Sequence, residues 1–168
     1  AKAESTTPVE IFIRIVKDGT ADVIGHSMLE KDVHLFYEQP WVMVASDGGI
    51  ASEHPRGAGT FPKVLGRYVR EKRWLTLTEA IRKMTSLPAR RLKLADRGVI
   101  RKGMKADLVL FDPKTVVDRS TFEKPQELAQ GIEAVFVNGE AVWEKGKAPG
   151  ARPGRVLTGS PTPAAKTE

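Results

Sequence analysis

The sequence predicts an α/β protein, on three observations. Up to about residue 95 the chain carries repeated helix-start signals. Within that stretch the continuous apolar run Trp41-Val42-Met43-Val44-Ala45 stops at Ser46-Asp47-Gly48-Gly49 and is followed by a further helix, giving a strand, loop, helix unit. Beyond Ala95 the texture turns to β and contains Asn138-Gly139 between two apolar runs, a strong hairpin signal because a type I′ turn needs positive φ at both of its central positions. A length of 168 residues suits one medium domain or pieces of two.

In chain order, Pro8 to Val16 reads both ways: Ile11, Ile13 and Ile15 alternate as in a strand, whereas Val9, Phe12 and Val16 have helical spacing. A short apolar run, Ala21 to Gly25, follows. Ser27-Met28-Leu29-Glu30 fits a capping box that opens a helix over about Leu29 to Tyr37, ended by Pro40. The run Trp41 to Ala45 has the composition of a strand buried on both faces. A polar, Gly-rich loop then reaches Thr60, where Thr60-Phe61-Pro62 reads as an N-cap with proline in the first turn of a helix over Lys63 to Lys72. Thr76-Leu77-Thr78-Glu79 is a second capping box, ahead of the apolar stripe Leu77, Ala80, Ile81 and Met84. Pro88 starts a short helix carrying Leu92. The β portion contains Gly98-Val99-Ile100, Ala106 to Phe111, and the hairpin Ala134 to Val137 with Glu140 to Trp143. Ser160 to Glu168 has the composition of a disordered tail.

Composition narrows the chemistry. With no cysteine, these residues supply no disulfide, thiol nucleophile or thiolate metal ligand. The three histidines, His26, His34 and His54, form neither an H-x-H nor an H-E-x-x-H pattern. Lys and Arg outnumber Asp and Glu, 27 to 21, but the basic residues are dispersed. The denser runs Arg67 to Arg73 and Arg82 to Lys93 have the spacing of solvated helix faces, so nucleic-acid binding is the weakest of the function classes. No apolar run approaches the roughly 20 residues of a membrane span.

One constellation carries chemistry: Asp47 at the end of the apolar run, then glycines, then His54-Pro55-Arg56. In α/β barrels, loops at the C-terminal ends of strands display catalytic groups. Asp47 is therefore the leading catalytic candidate, with an Asx-turn or helix cap as its structural alternative. Arg56 suits a substrate carboxylate through its bidentate fork, and His54 suits a hydrogen-bonding role at the same mouth; a surface ion pair and loop packing are the alternatives. His26 reads as a structural histidine and His34 as a surface one.

The stretches S-D-G at 46–48, H-P-R at 54–56, G-T-F-P-K-V-L-G at 59–66 and E-A-I-R-K-M-T-S-L-P-A at 79–89 resemble the C-terminal part of N-acyl-D-amino-acid deacylases, the D-aminoacylase branch of the amidohydrolase superfamily. The likeness runs from about Ala21 to Leu157. It includes Gly98-Val99-Ile100-Arg101-Lys102-Gly103-Met104-Lys105-Ala106-Asp107-Leu108-Val109, an element shared by many amidohydrolases.

The resemblance implies the C-terminal portion of a (β/α)8 TIM barrel over residues 1–95, part of a small β-sandwich with a C-terminal extension over 96–157, and a tail over 158–168. It implies zinc-dependent hydrolysis of N-acyl-D-amino acids, with Asp47 as proton shuttle and metal ligand. Arg56 would then hold the substrate α-carboxylate, His54 would line the site and Met28 would lie by the acyl pocket. Most zinc ligands and the remaining strands would come from an N-terminal partner chain of the same enzyme. Association with that chain, a small-molecule substrate, no nucleic acid, no membrane and a cytoplasmic location complete the expectation. The alternatives are a non-catalytic fragment or association subunit, and an amidohydrolase acting on a cyclic amide.

Overall fold

A computed structural model describes residues 1–19, 25, 27–49 and 53–158. The expected tail from residue 160, His26 and most of the run from Ala21 lie outside the described residues. The chain divides into two compact units, Ala1–Val33 and His34–Glu168.

In the first unit a 3-10 turn, Lys2–Glu4, precedes helix α1, Pro8–Lys17. The structure settles the double reading of this segment, because its start carries a capping box: the Thr7 hydroxyl accepts from the Glu10 amide at 3.2 Å, and the Glu10 carboxylate accepts from the Thr7 amide at 2.9 Å. Pro8 sits in the first turn, where its missing N–H costs nothing. Hydrogen bonds from the Thr6 hydroxyl and from the Thr7 amide and hydroxyl hold the Glu10 carboxyl down at about 2. The stripe of Val9, Phe12 and Val16 is exposed, and no residue of α1 is buried. The helix expected over Leu29 to Tyr37 is α2, Glu30–Glu38, whose first turn starts with the Leu29 carbonyl accepting from the Val33 amide.

The second unit holds the core. Val44, Val64, Leu65, Leu75, Ala80 and Val116 are buried together. Its helical part comprises α3, Arg56–Lys63, continued by a π-wound segment Val64–Glu71, then α4, Leu77–Met84, and α5, Ser86–Arg91. The expected start at Thr60 is corrected: the helix already begins at Arg56, and the Thr60 hydroxyl donates to the Arg56 carbonyl at 2.8 Å instead of capping. Pro62 therefore lies inside α3, where it offers no N–H to the preceding turn, and the winding loosens to i→i+5 directly after it. The α4 start is as expected in one half of its box. Thr76 accepts from the Glu79 amide at 3.2 Å, whereas the Glu79 carboxylate turns to Arg82. Of the predicted stripe, Ala80 is buried, Leu77 and Met84 pack on the core and Ile81 is partly exposed. Leu92 follows α5 and is exposed.

His34 is more than a surface residue: its ring stacks on Trp74 at 4.5 Å, and Trp74 in turn stacks on Tyr68 at 4.7 Å.

The β part is an antiparallel three-stranded sheet of β1, Leu108–Phe111, β2, Ile132–Val137, and β3, Glu140–Glu144, in that order. The predicted hairpin is present, with Asn138 at φ 50° and Gly139 at φ 87°. Gly98-Val99-Ile100 forms no strand. Arg97, nearly buried, fastens the hairpin by binding Asp107 and donating to the Asn138 side chain at 2.9 Å, while the Asn138 amide donates to Asp107 at 2.8 Å.

Candidate functional site

The segment that carries Asp47 departs from the expected strand. Trp41 closes a turn, and residues 42–49 form no regular element and pair with no strand among the described residues. One face alone is covered: Val44 is buried and Val42 half-buried, while Trp41 is 70% exposed and Met43 39% exposed. An apolar run looks the same in sequence whether one or both of its faces are covered, and pairing needs a neighbour that the described residues do not provide.

With no ladder, the backbone of this segment is satisfied by α4. The Val44 amide donates to the Lys83 carbonyl at 3.2 Å. The Lys83 ammonium donates to the Gln39 carbonyl and, at 3.1 Å, to the Val42 carbonyl. The Arg82 guanidinium donates to the Pro40 carbonyl and forks onto Glu79 with two bonds of 2.8 Å. Lys83 is 0% exposed, which corrects its assignment to a solvated helix face. Burial pushes its pKa down from the usual lysine range, an effect that the attraction of Glu79 only partly offsets. The fork from Arg82 holds the Glu79 carboxyl below its ordinary value.

Beyond Val44 the chain turns at Asp47, which adopts φ 50°, a conformation that aspartate tolerates better than most residues. The Ser46 hydroxyl accepts from the Gly48 amide at 3.2 Å, so the short turn belongs to Ser46, and the Asp47 carboxylate remains 86% exposed. Gly48 lies against Gly57 so closely that a Cβ on it would overlap the Gly57 Cα. This approach brings the start of α3 to the turn, and Arg56 reaches Asp47 at 3.3 Å. His54 Nδ1 accepts from the Arg56 amide at 3.1 Å, and its ring meets Phe122 edge-on at 5.0 Å. Ser120 donates to the Pro55 carbonyl at 2.9 Å.

Asp47, His54 and Arg56 are thus brought together, as their order in the sequence suggests. Met28 is 82% exposed and belongs to the Ala1–Val33 unit. Sequence reasoning missed Phe122 and Ser120, which carry no signal, being more than sixty positions from His54 and Pro55. It also missed Lys83, for which a signal exists: Ala80, Lys83, Met84 and Leu87 form an i, i+3, i+4, i+7 set, which puts the lysine on an apolar face.

The arrangement offers a carboxylate open to solvent beside a guanidinium. It suits proton transfer and the binding of an anion. No group of three His, Asp or Glu that could hold a metal ion exists among the described residues. Asp47 can give one ligand, but these residues do not fit a complete zinc site by themselves. No helix among the described residues is long and apolar enough to cross a membrane.

Residues 17–143 match the amidohydrolase family. The chain is 45% identical over 145 residues to an N-acyl-D-aspartate deacylase of Alcaligenes xylosoxydans xylosoxydans, covering 85% of this chain and 29% of that protein. It is 48% identical over 139 residues to an N-acyl-D-glutamate deacylase of the same organism, covering 82% and 28%. A crystal structure of D-aminoacylase superposes with a TM-score of 0.75 at 48% identity, covering 78% of this chain and 28% of that one. The structure of N-acyl-D-glutamate deacylase from Bordetella bronchiseptica, in complex with zinc and a phosphonate inhibitor that mimics the tetrahedral intermediate, gives a TM-score of 0.72, also at 48% identity, covering 77% and 28%. The chain spans less than a third of the length of these relatives. By its sequence and its fold, it belongs to the amidohydrolase family.

Proposed function

We propose that the chain is the C-terminal part of an N-acyl-D-amino-acid deacylase, cleaving the amide of an N-acylated D-amino acid to a carboxylate and the free amino acid. The observation that carries this reading is the pairing of Asp47 with Arg56 at 3.3 Å, at the end of an apolar segment whose one face is open. Residues 1–95 would be the last strands and helices of a (β/α)8 barrel, 96–157 a portion of a β-sandwich with its extension, and 158–168 a tail. The exposed faces of α1 and of Trp41 and Met43 favour an apolar interface with an N-terminal part of the same enzyme. That part would bring the other strands and most of the zinc ligands. A cytoplasmic, nucleic-acid-free and membrane-free setting belongs to the same reading.

In this reading Asp47 takes a proton from the hydrolytic water as it adds to the amide carbon and hands it to the nitrogen as the C–N bond breaks. The exposed Arg56–Asp47 pair is worth at most about 1 kcal/mol, so a substrate carboxylate can take over the guanidinium and free Asp47 for this work. His54, by accepting from the Arg56 amide, fixes where the arginine starts. Met28 would line the acyl side of the site. Zinc, held by Asp47 together with ligands from the N-terminal part, would supply Lewis-acid polarisation of the scissile carbonyl and acidification of water.

The test is hydrolysis of N-acetyl-D- against N-acetyl-L-amino acids by the complete protein, with zinc quantification and intact mass. The expected results are D-selective turnover that a chelator abolishes and zinc restores, and a fall of about 10²- to 10⁴-fold in kcat in Asp47→Asn. Arg56→Met should raise KM more than it lowers kcat. Intact mass separates a continuous polypeptide from two associated chains. Full activity in Asp47→Asn would sink the assignment.

A further inference from the structure

We infer that Lys83 is a positioning residue for Asp47: its buried ammonium and main-chain carbonyl, helped by Arg82, hold the irregular segment that carries the carboxylate. The inference rests on the assignment of Asp47 made above and goes beyond it, since Lys83 itself touches neither Asp47 nor a substrate.

The geometry is specific. Backbone groups of four residues, Gln39, Pro40, Val42 and Val44, are bound by two adjacent residues of one helix. Lys83 binds the segment from both ends of its own structure: the ammonium takes two carbonyls and the carbonyl takes the Val44 amide. Asp47 follows Val44 by three residues, so the turn at Asp47 starts from a fixed point. Residues 39–44 have no strand partner among the described residues, and the α4 contacts replace the ladder that would otherwise set their register.

A buried ammonium is a costly way to fill space. A methionine of similar length would pack there without the desolvation penalty, and exchanging buried ionic groups for apolar ones is often neutral or stabilising. What an apolar side chain cannot do is donate to the Gln39 and Val42 carbonyls. The lysine is thus suited to orientation more than to packing, and that separates the two roles experimentally.

The experiment compares the complete, zinc-loaded enzyme with its Lys83→Met, Lys83→Arg and Arg82→Gln variants by steady-state kinetics, zinc content and amide hydrogen exchange. Lys83→Met is expected to lower kcat by about 10- to 100-fold with KM and zinc content little changed. Exchange over residues 40–49 should speed up by about tenfold while β1–β3 remain as protected as before. Lys83→Arg, which keeps the donors, should recover part of both the kcat and the protection. Arg82→Gln, at a more exposed position, should shift both in the same direction by about threefold, and it decides the matter if Lys83→Met does not fold.

Unchanged kcat in Lys83→Met would overturn the inference. So would a loss accompanied by faster exchange throughout the sheet, which marks a merely structural lysine. If the unsubstituted enzyme hydrolyses no N-acyl-D-amino acid, the functional reading fails. The exchange data still judge Lys83, because unchanged protection over 40–49 refutes its hold on the segment whatever the reaction is.

Discussion

The β2–β3 hairpin and the segment from Pro40 to Gly49 lie in the same compact unit and are held in opposite ways. The hairpin's turn is fixed by its own sequence: Asn138 and Gly139 adopt the left-handed angles that the turn needs, and the two strands pair across it with a single register shift, Arg97 and Asp107 then fastening the turn from outside. The Asp47 segment has no such device. Its carbonyls are taken by Arg82 and Lys83, more than forty positions away in sequence, and Asp47 meets Arg56 because two glycines let the chain close on itself. Local turn chemistry starts the hairpin, while the Asp47 segment depends mainly on contacts from distant residues. The second kind of region should fail in function before it fails in stability.

The strongest test of that contrast is Gly48→Ala. The new methyl would collide with the Gly57 backbone, which cannot swing away as a flexible side chain could. Opening the turn by about 1 Å is expected to cost about 100-fold in turnover, with a stability loss of only about 1–3 kcal/mol. Kinetics and thermal unfolding of the complete enzyme check both parts. Equal loss of the two would erase the distinction between aiming and scaffolding.

The complementary break lies at the hairpin. Arg97→Met leaves Asp107 and the Asn138 side chain without their cation and should cost about 2 kcal/mol in unfolding free energy, discounted because Asp107 is partly exposed, with little effect on kcat once folded. Acid should act through the same cluster. Burial alone would raise the Asp107 carboxyl, but the Asn138 amide and the Arg97 guanidinium outweigh it and hold the pKa below the ordinary aspartate range. A depressed carboxyl contributes stability above its unfolded pKa of about 3.9 and loses it as pH falls through the lower folded value. Asp107→Asn should therefore be less stable than the parent at neutral pH, the difference shrinking as pH falls below the ordinary aspartate range. Parallel stability curves for the two would remove the carboxylate from the account.

The same division explains what could be read in advance. The hairpin, the Thr76 cap and the stripe on α4 were legible because each is written within a few residues. The helix at Arg56 was misread because Thr60-Phe61-Pro62 mimics a helix start, while the actual N-cap residue is Pro55, whose side chain cannot cap, and the Arg56 amide is taken by the unusual acceptor His54. The strand at Trp41 to Ala45 was misread in its environment: apolar composition fixes neither the number of covered faces nor the presence of a neighbour. The proximity of the candidates Asp47, His54 and Arg56 was legible by their order, and Lys83 was hidden by the assumption that a basic residue on a helix faces water. Burial of a cation is decided by which carbonyls need donors, and these lie far off in the chain.

The smallest expected effect separates the two ends of α4. Thr76 caps its first turn by accepting from the Glu79 amide, whereas the contacts to Gln39, Pro40 and Val42 come from Arg82 and Lys83 at the other end. Thr76→Ala should cost about 1 kcal/mol of unfolding free energy through the lost cap. Loss of the cap should leave the last turn in place, because buried Ala80 packs it on the core and Arg82 and Lys83 keep their own contacts to Gln39, Pro40, Val42 and Val44. Exchange should therefore speed up over residues 77–80 while 40–49 keep their protection, and kcat should stay within about twofold of the parent. If this mild change loosened 40–49 as much as Lys83→Met does, the hold on Asp47 would belong to α4 as a whole and not to the two cations at its end.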